Sequence, residues 1–313
     1  MSSSLRVVYW GTPEFATPPL RALVGEGFDV VGVVTQPDKP VGRSRSTLEP
    51  PPVKRLALEE GIPVLQPARP RGEDFVRHLR ELKPDASVVV AYGHIIPQPV
   101  LDLPPLGSFN VHASLLPALR GAAPIQAAIL EGLPETGVTI MRMVAALDAG
   151  PILLQVRTPI PDDETYGELQ LRISELGALA LVEAMTLVAL GRAREEPQDE
   201  TLATYAPKVG REAARLDWSR GAIAISRAIR AYDPKPGAFA MHRGSPLKLF
   251  GVRVVPTNGT APGTVLDIDA DGMVVSCETG AVRIAQVQPA GRTRMTPAAL
   301  ARGRGIGVGD ALG

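Results

Sequence analysis

Between Leu5 and Tyr92 short apolar runs alternate with amphipathic segments, and no other feature of the chain limits its fold as much. LRVVYW reads as a strand, GTPEFATPPLRALV as a helix with Thr12 placed to cap it and Pro13 suited to its first turn, and FDVVGVV as a second strand. VKRLALEEG and EDFVRHLRELK read as helices, PVLQP and ASVVVAY as strands. Strands joined by helix-length segments run parallel, because each helix carries the chain back along the face of the sheet. Such sheets bind ligands in the crevice beyond the carboxyl ends of their strands.

The next strand opens the stretch SFNVHASLLPALRGAAPIQ, from Ser108 to Gln126. Asn110 and His112 are two apart, so in a strand their side chains share a face and converge on one small group. Beyond it APIQAAILEG predicts a helix, GVTIMRM and PILLQVRTPI predict strands, and the segment from Glu164 to Gly191 predicts a long amphipathic helix. The polar run RAREEPQDE breaks the pattern, which places a first domain at 1–190, a linker at 191–210 and a second domain at 211–313. That domain opens with the helix GAIAISRAIRAY and continues as short strands, LKLFGVRVV, GTVLDI, GMVVSC and AVRIAQVQ, which suggest a small barrel or sandwich.

The 313 residues carry zero net charge, but unevenly. Residues 1–210 hold 19 basic and 25 acidic side chains, and residues 211–313 hold 14 and 8. A basic C-terminal module can meet a polyanion, although ordinary charge scatter produces the same imbalance. No apolar run is long enough to span a bilayer, the start MSSSLRVVYWGTPEF lacks the pattern of a signal peptide, and the single cysteine, Cys277, fits strand packing in a reducing compartment. A cytoplasmic protein is expected.

Asn110, His112 and Asp148 form the candidate catalytic set. An amide can donate to an oxygen that turns negative in a transition state, an imidazole exchanges protons near neutrality, and a carboxylate can orient that imidazole. Asp148, in the turn LDAGPI, can reach the same sheet edge. Taken alone, the three are better explained as polar groups satisfying strand-end and turn backbone. Other chemistries have less support. His78, His94, His112, His242 and Cys277 lack metal-ligand spacing, GTPEF is neither a dinucleotide fingerprint nor a phosphate-binding loop, and Ser108 and Ser114 lack the glycines of a nucleophile elbow. The long loop Thr35–Pro52 carries Lys39, Arg43 and Arg45, which suits phosphate binding as well as a solvated surface.

NVHASLLP with RGAAPIQ, LDAGPI, TQPDKPVGR, TYAPKVGREAARLDWSR, AYDPKPGAF and GRTRMTPAALARGRG together resemble the methionyl-tRNA formyltransferases over nearly the whole chain. The resemblance implies an α/β fold, with a Rossmann-like formyltransferase domain built on a mostly parallel sheet and followed by a small OB-like β-barrel. It implies 10-formyltetrahydrofolate as donor, the α-amine of initiator methionyl-tRNA as acceptor, and no metal; a monomer is expected. Asn110 would bind the oxyanion, His112 position the formyl group and relay a proton, and Asp148 hold His112. Ser114, Leu115, Leu116 and Pro117 would border the folate, and Lys39, Arg43 and Arg45 would meet the tRNA from a loop that is mobile in the free enzyme.

The chain departs from the family pattern at Ala118 and Leu119, where a basic and an aromatic residue are usual. It departs again at Lys235, where Trp is usual, and at Ser44, Arg45, Ser46 and Thr47, where more Lys is common. These positions bear on tRNA contact. Formylation of a sugar-nucleotide amine, hydrolysis of the folate donor, and a non-catalytic RNA-binding module remain as rival readings.

Overall fold

The structure, a computed structural model, describes residues 5–41, 47–257 and 261–313. The first apolar run becomes β1 (Arg6–Gly11), followed by a 3-10 turn at Glu14–Ala16 and by α1 (Thr17–Gly25). Next come β2 (Asp29–Val34), the antiparallel pair β3 (Lys39–Val41) and β4 (Thr47–Glu49), α2 (Pro52–Glu59) and β5 (Val64–Leu65). The chain continues through α3 (Glu73–Glu81), β6 (Ala86–Val90), α4 (Gln98–Leu101), β7 (Ser108–His112) and β8 (Arg120–Gly121). There follow α5 (Pro124–Glu131), β9 (Glu135–Arg142), β10 (Ile152–Pro159), α6 (Tyr166–Ala189) and the two-residue β11 (Tyr205–Ala206).

One expectation fails at the start. Thr12 does not cap a helix: its hydroxyl donates to the Tyr92 carbonyl at 2.9 Å, and α1 begins only at Thr17. Pro18 and Pro19 occupy the first turn, where a missing N–H removes no intrahelical bond, so the helix forms without a side-chain cap.

Seven strands form one sheet in the order β10-β9-β7-β6-β1-β2-β5. The neighbours from β7 to β5 pair in parallel and β9 runs antiparallel to β7, so the sheet is mostly parallel, as in a Rossmann-like fold. On one face Val8, Trp10, Val34 and Val89 pack with Leu79 of α3 and Val100 and Leu101 of α4. On the other, Val111 meets α6 at Gly177, where an added Cβ would stand 3.0 Å from a Val111 methyl. That close approach holds the strand bearing Asn110 and His112 against the helix.

Contacts divide the chain into two units, each compact. The first comprises the residues up to Gly121 together with Thr136–Thr158 and Gln170–Tyr205; the second comprises Ala122–Glu135, Pro159–Leu169 and Ala206–Gly313. In the second unit lie α7 (Ala222–Ala231) and the strands β12 (Phe239–His242), β13 (Ser245–Val255), β14 (Val265–Ile268), β15 (Met273–Ser276) and β16 (Ala281–Pro289), then α8 (Pro297–Arg302). The five strands pair antiparallel in the order β12-β13-β16-β15-β14, an antiparallel half-barrel. Ile225 and Ile229, one turn apart on α7, join Leu249, Val275, Val282 and Ile284 in its core. Backbone bonds from residues 310–313 reach both edge strands: Val265 N donates to Asp310 O at 2.9 Å and Gly313 N to Met241 O at 2.8 Å. Cys277 is buried in this core and burial pushes its thiol up to about 11, as suits packing rather than reactivity. Among the described residues no helix is long and apolar enough to cross a membrane.

Candidate active site

β7 alternates its side chains. Phe109 and Val111 are buried on one face, which leaves Asn110 and His112 together on the other. Register places them in the interior of the sheet: Asn110 lies opposite Val89 of β6 and Met141 of β9, and His112 opposite Thr139. The Asn110 side chain is half-buried, and no protein group among the described residues engages its carboxamide.

His112 is 5% exposed and held from both ring nitrogens. Nε2 lies 3.0 Å from the Leu119 carbonyl, which only accepts, so Nε2 carries a hydrogen. Nδ1 lies 3.7 Å from Asp148 Oδ2, too far for a hydrogen bond but within reach of a charge. The neutral ring therefore turns a lone pair toward the carboxylate, and a proton taken up at Nδ1 would be stabilised there. Burial lowers the His112 pKa below its ordinary value of 6.5, against the opposing pull of Asp148 and the Leu119 carbonyl.

This depression has a sign that can be tested. The unfolded chain protonates the imidazole near pH 6.5 while the folded chain resists, so stability is lost as pH falls below about 6.5. Urea titrations at pH 7.5 and 5.5 are expected to show a larger acid-induced loss for the wild type than for His112→Asn.

Asp148 accepts a hydrogen bond from Gly121 N at 2.8 Å and sits at φ 48°, while Leu119, which supplies the carbonyl, sits at φ 60°. Left-handed backbone costs a residue with a Cβ roughly 1–2 kcal/mol, so both partners of His112 are held in conformations they do not prefer. Gly150 lets the Asp148 turn close, because a Cβ there would run into the Arg142 carbonyl oxygen.

The structure thus brings together Asn110, His112 and Asp148, and it places the remaining candidates as follows. Ser114 and Leu116 are buried, Leu115 and Pro117 partly exposed. Ser114 Oγ donates to the Ala118 carbonyl at 2.6 Å, and the Leu116 carbonyl accepts from Gln155 Nε2 of β10 at 2.7 Å, so this loop is held by one bond of its own and one from a neighbouring strand. Lys39 is exposed on β3; Arg43 and Arg45, with the expectation that their loop is mobile, lie outside the described residues. Lys235 is exposed, whereas Leu119 is buried and contributes through its backbone.

Two features escape a reading of the sequence. A cleft of about 610 Å³ follows β6, lined by Arg69, Arg71, His94 and Ile95, and Ile95 is 93% exposed. Its signal was the apolar pair in YGHIIP just past a buried strand. The second is Arg120, 2% exposed, whose guanidinium pairs with Glu200 at 2.8 Å and with Gln198 at 2.7 Å. No local pattern marks a contact across some eighty residues. Among the described residues no cluster of three or more His, Cys, Asp or Glu side chains could hold a metal.

A central strand offering a free carboxamide beside a buried imidazole and a carboxylate suits acyl transfer to an amine, and formyl transferases are the class concerned: the family described as Formyl transferase matches residues 5–185, and its C-terminal domain matches 208–305. A methionyl-tRNA formyltransferase of Pseudomonas paraeruginosa is 48% identical over 92% of this chain and 93% of its own length. One of Magnetococcus marinus is 48% identical over 98% of each. The chain belongs to the methionyl-tRNA formyltransferase family. In fold it is also similar to HypX of Aquifex aeolicus, with a TM-score of 0.69 at 20% identity; the match covers 98% of this chain and about half, 48%, of that one.

Proposed function

We propose that Asn110, His112 and Asp148 carry the transfer of a formyl group from 10-formyltetrahydrofolate to the free α-amine of methionyl initiator tRNA, the reaction of this family. The amine attacks the formyl carbon directly: a C–N bond forms, the bond to the folate N10 breaks, and one proton passes from the amine to N10. An α-amine has a pKa of about 7.7–8.0, so a useful neutral fraction exists at physiological pH. Asn110 donates to the formyl oxygen as it becomes an oxyanion. His112 takes the amine proton at Nδ1, because Nε2 is committed to Leu119, and Asp148 at 3.7 Å balances the resulting imidazolium before the proton moves to N10. The carrying observation is the pairing of an unengaged Asn110 carboxamide with the buried His112 on one strand face.

Leu115 and Pro117 would border the pterin, with Ser114 and Leu116 holding the loop in shape. The cleft after β6 offers the exposed Ile95 to a flat ring system and Arg69 and Arg71 to the carboxylates of the folate glutamate. Arg69→Ala with Arg71→Ala is expected to raise KM for the donor by about fivefold with kcat unchanged, the scale of two exposed charge contacts. Residues 1–190 supply the chemistry under this reading and the net-basic 211–313 module holds tRNA, with Lys39, Arg43 and Arg45 contacting its acceptor end. The working form is a cytoplasmic monomer, which light scattering and cell fractionation check.

The deciding experiment follows labelled formyl from 10-formyltetrahydrofolate onto charged initiator tRNA with wild type and His112→Ala. Transfer by the wild type and its loss in a folded, tRNA-binding variant support the assignment; equal rates overturn it. The 48% identity to methionyl-tRNA formyltransferases sets aside the sugar-nucleotide, hydrolase and non-catalytic readings.

A further inference from the structure

The polar stretch after α6 looks like a tether in the sequence, yet Gln198, Glu200 and Thr204 engage the two turns that flank His112. Gln198 Nε2 donates to the carbonyl oxygens of Asp148 at 2.8 Å and Gly150 at 2.7 Å, spanning the Asp148 turn. Its Oε1 accepts from Arg120 Nη2 at 2.7 Å and Nε at 3.1 Å. The amide can point only one way: rotated by half a turn, its hydrogens would face the guanidinium and its oxygen would face two carbonyls. Arg120 is pinned in turn by Glu200, through Nη1 and Nη2, both at 2.8 Å. Six residues beyond Gln198, Thr204 Oγ1 accepts from Leu119 N at 2.9 Å, and the Thr204 carbonyl accepts from Arg120 N at 2.8 Å.

We propose that residues 198–204 are a positioning strap, in which Gln198 holds Asp148 against His112 Nδ1 and Thr204 holds the Leu119 carbonyl against His112 Nε2. The proposal rests on the assignment of His112 and Asp148 as the proton-handling pair. Both turns contain a non-glycine residue at positive φ, Leu119 at 60° and Asp148 at 48°, which needs surrounding bonds to stay there. Beside the local bond from Ser114 Oγ to the Ala118 carbonyl, the strap supplies such bonds from across the fold. Neither Gln198 nor Thr204 needs to touch substrate, so their effect passes through the geometry and proton affinity of the imidazole.

The test uses the full-length enzyme with both natural substrates. Gln198→Leu, which keeps the volume and removes the donors, is expected to lower kcat by about 10- to 100-fold, with both KM values within about twofold of wild type. The acid limb of its kcat–pH profile should shift. Thr204→Val should behave alike, and Thr204→Ser, which keeps the hydroxyl, should restore kcat and the profile. Should Gln198→Leu fail to fold, the Thr204 pair decides alone. Folded variants with wild-type kcat and pH profile, or a loss expressed wholly in KM, would overturn the strap. Asp148→Asn run alongside separates the two levels. If it transfers formyl at the wild-type rate, the site assignment and the strap both fall; if it is impaired while Gln198→Leu and Thr204→Val are normal, only the strap does.

Discussion

Asn110→Ala lowers kcat for formyl transfer by about 100- to 1,000-fold, the usual cost of one well-placed oxyanion donor, and leaves KM for donor and tRNA close to wild type. The Asn110 side chain is half-buried and, among the described residues, engaged by no protein group, so its loss breaks no structural bond. β7 is held by Phe109 and Val111 on the opposite face and by β6 and β9 at its sides, so the strand should survive the truncation. Steady-state transfer of labelled formyl, with circular dichroism and thermal melting to confirm the fold, checks this. Asn110→Asp should be at least as damaging, because a carboxylate would face the oxygen that turns negative. A variant retaining more than a tenth of wild-type kcat would remove Asn110 from the oxyanion role.

Asp148→Asn reduces kcat by about 100- to 10,000-fold, the range for losing a group that takes part in acid–base catalysis. The substitution is deliberately mild. Asn tolerates left-handed backbone better than other residues with a side chain, which suits φ 48°, and its carbonyl oxygen can still accept from Gly121 N. What disappears is the negative charge that favours a proton on His112. The imidazole should become harder to protonate, so the acid limb of the kcat–pH profile moves to lower pH while the maximum falls. Stability by urea titration at pH 7.5 is expected to stay near wild type. Combining the change with His112→Ala should cost little more than either alone, since the two residues act on one proton.

Asn110, His112 and Asp148 could be singled out in the sequence because their signals are local, while the resemblance to the family gave them their proposed roles. A strand spaces Asn110 and His112 onto one face, and LDAGPI marks a turn by its own Gly and Pro. Their roles were less accessible. Nothing near His112 in the sequence says that Nε2 is taken by Leu119 and that Nδ1 remains for the proton, because that depends on a backbone carbonyl whose direction follows from the 119 turn. Leu119 itself stands out in the sequence only as a departure from the family pattern, yet its side chain is buried and its main chain does the work. RAREEPQDE reads as a tether because charged, Pro-containing stretches usually are solvated, whereas here Gln198 and Glu200 satisfy a buried guanidinium some eighty residues away. Thr12 shows the converse: a good capping residue was drawn instead to the Tyr92 carbonyl.

By itself the sequence determined what periodicity and side-chain chemistry can carry: the alternating strands and helices, the parallel core, the strand-rich second half, and three polar side chains able to meet an oxyanion, exchange a proton and orient an imidazole. Each depends on neighbours a few positions apart, where chain connectivity imposes the geometry. The tertiary structure alone decided which ring nitrogen of His112 is available, which turns are held at positive φ, and which polar residues of the stretch after α6 hold them. These depend on contacts between segments far apart in the chain, whose distances are set by how the sheet and its helices pack.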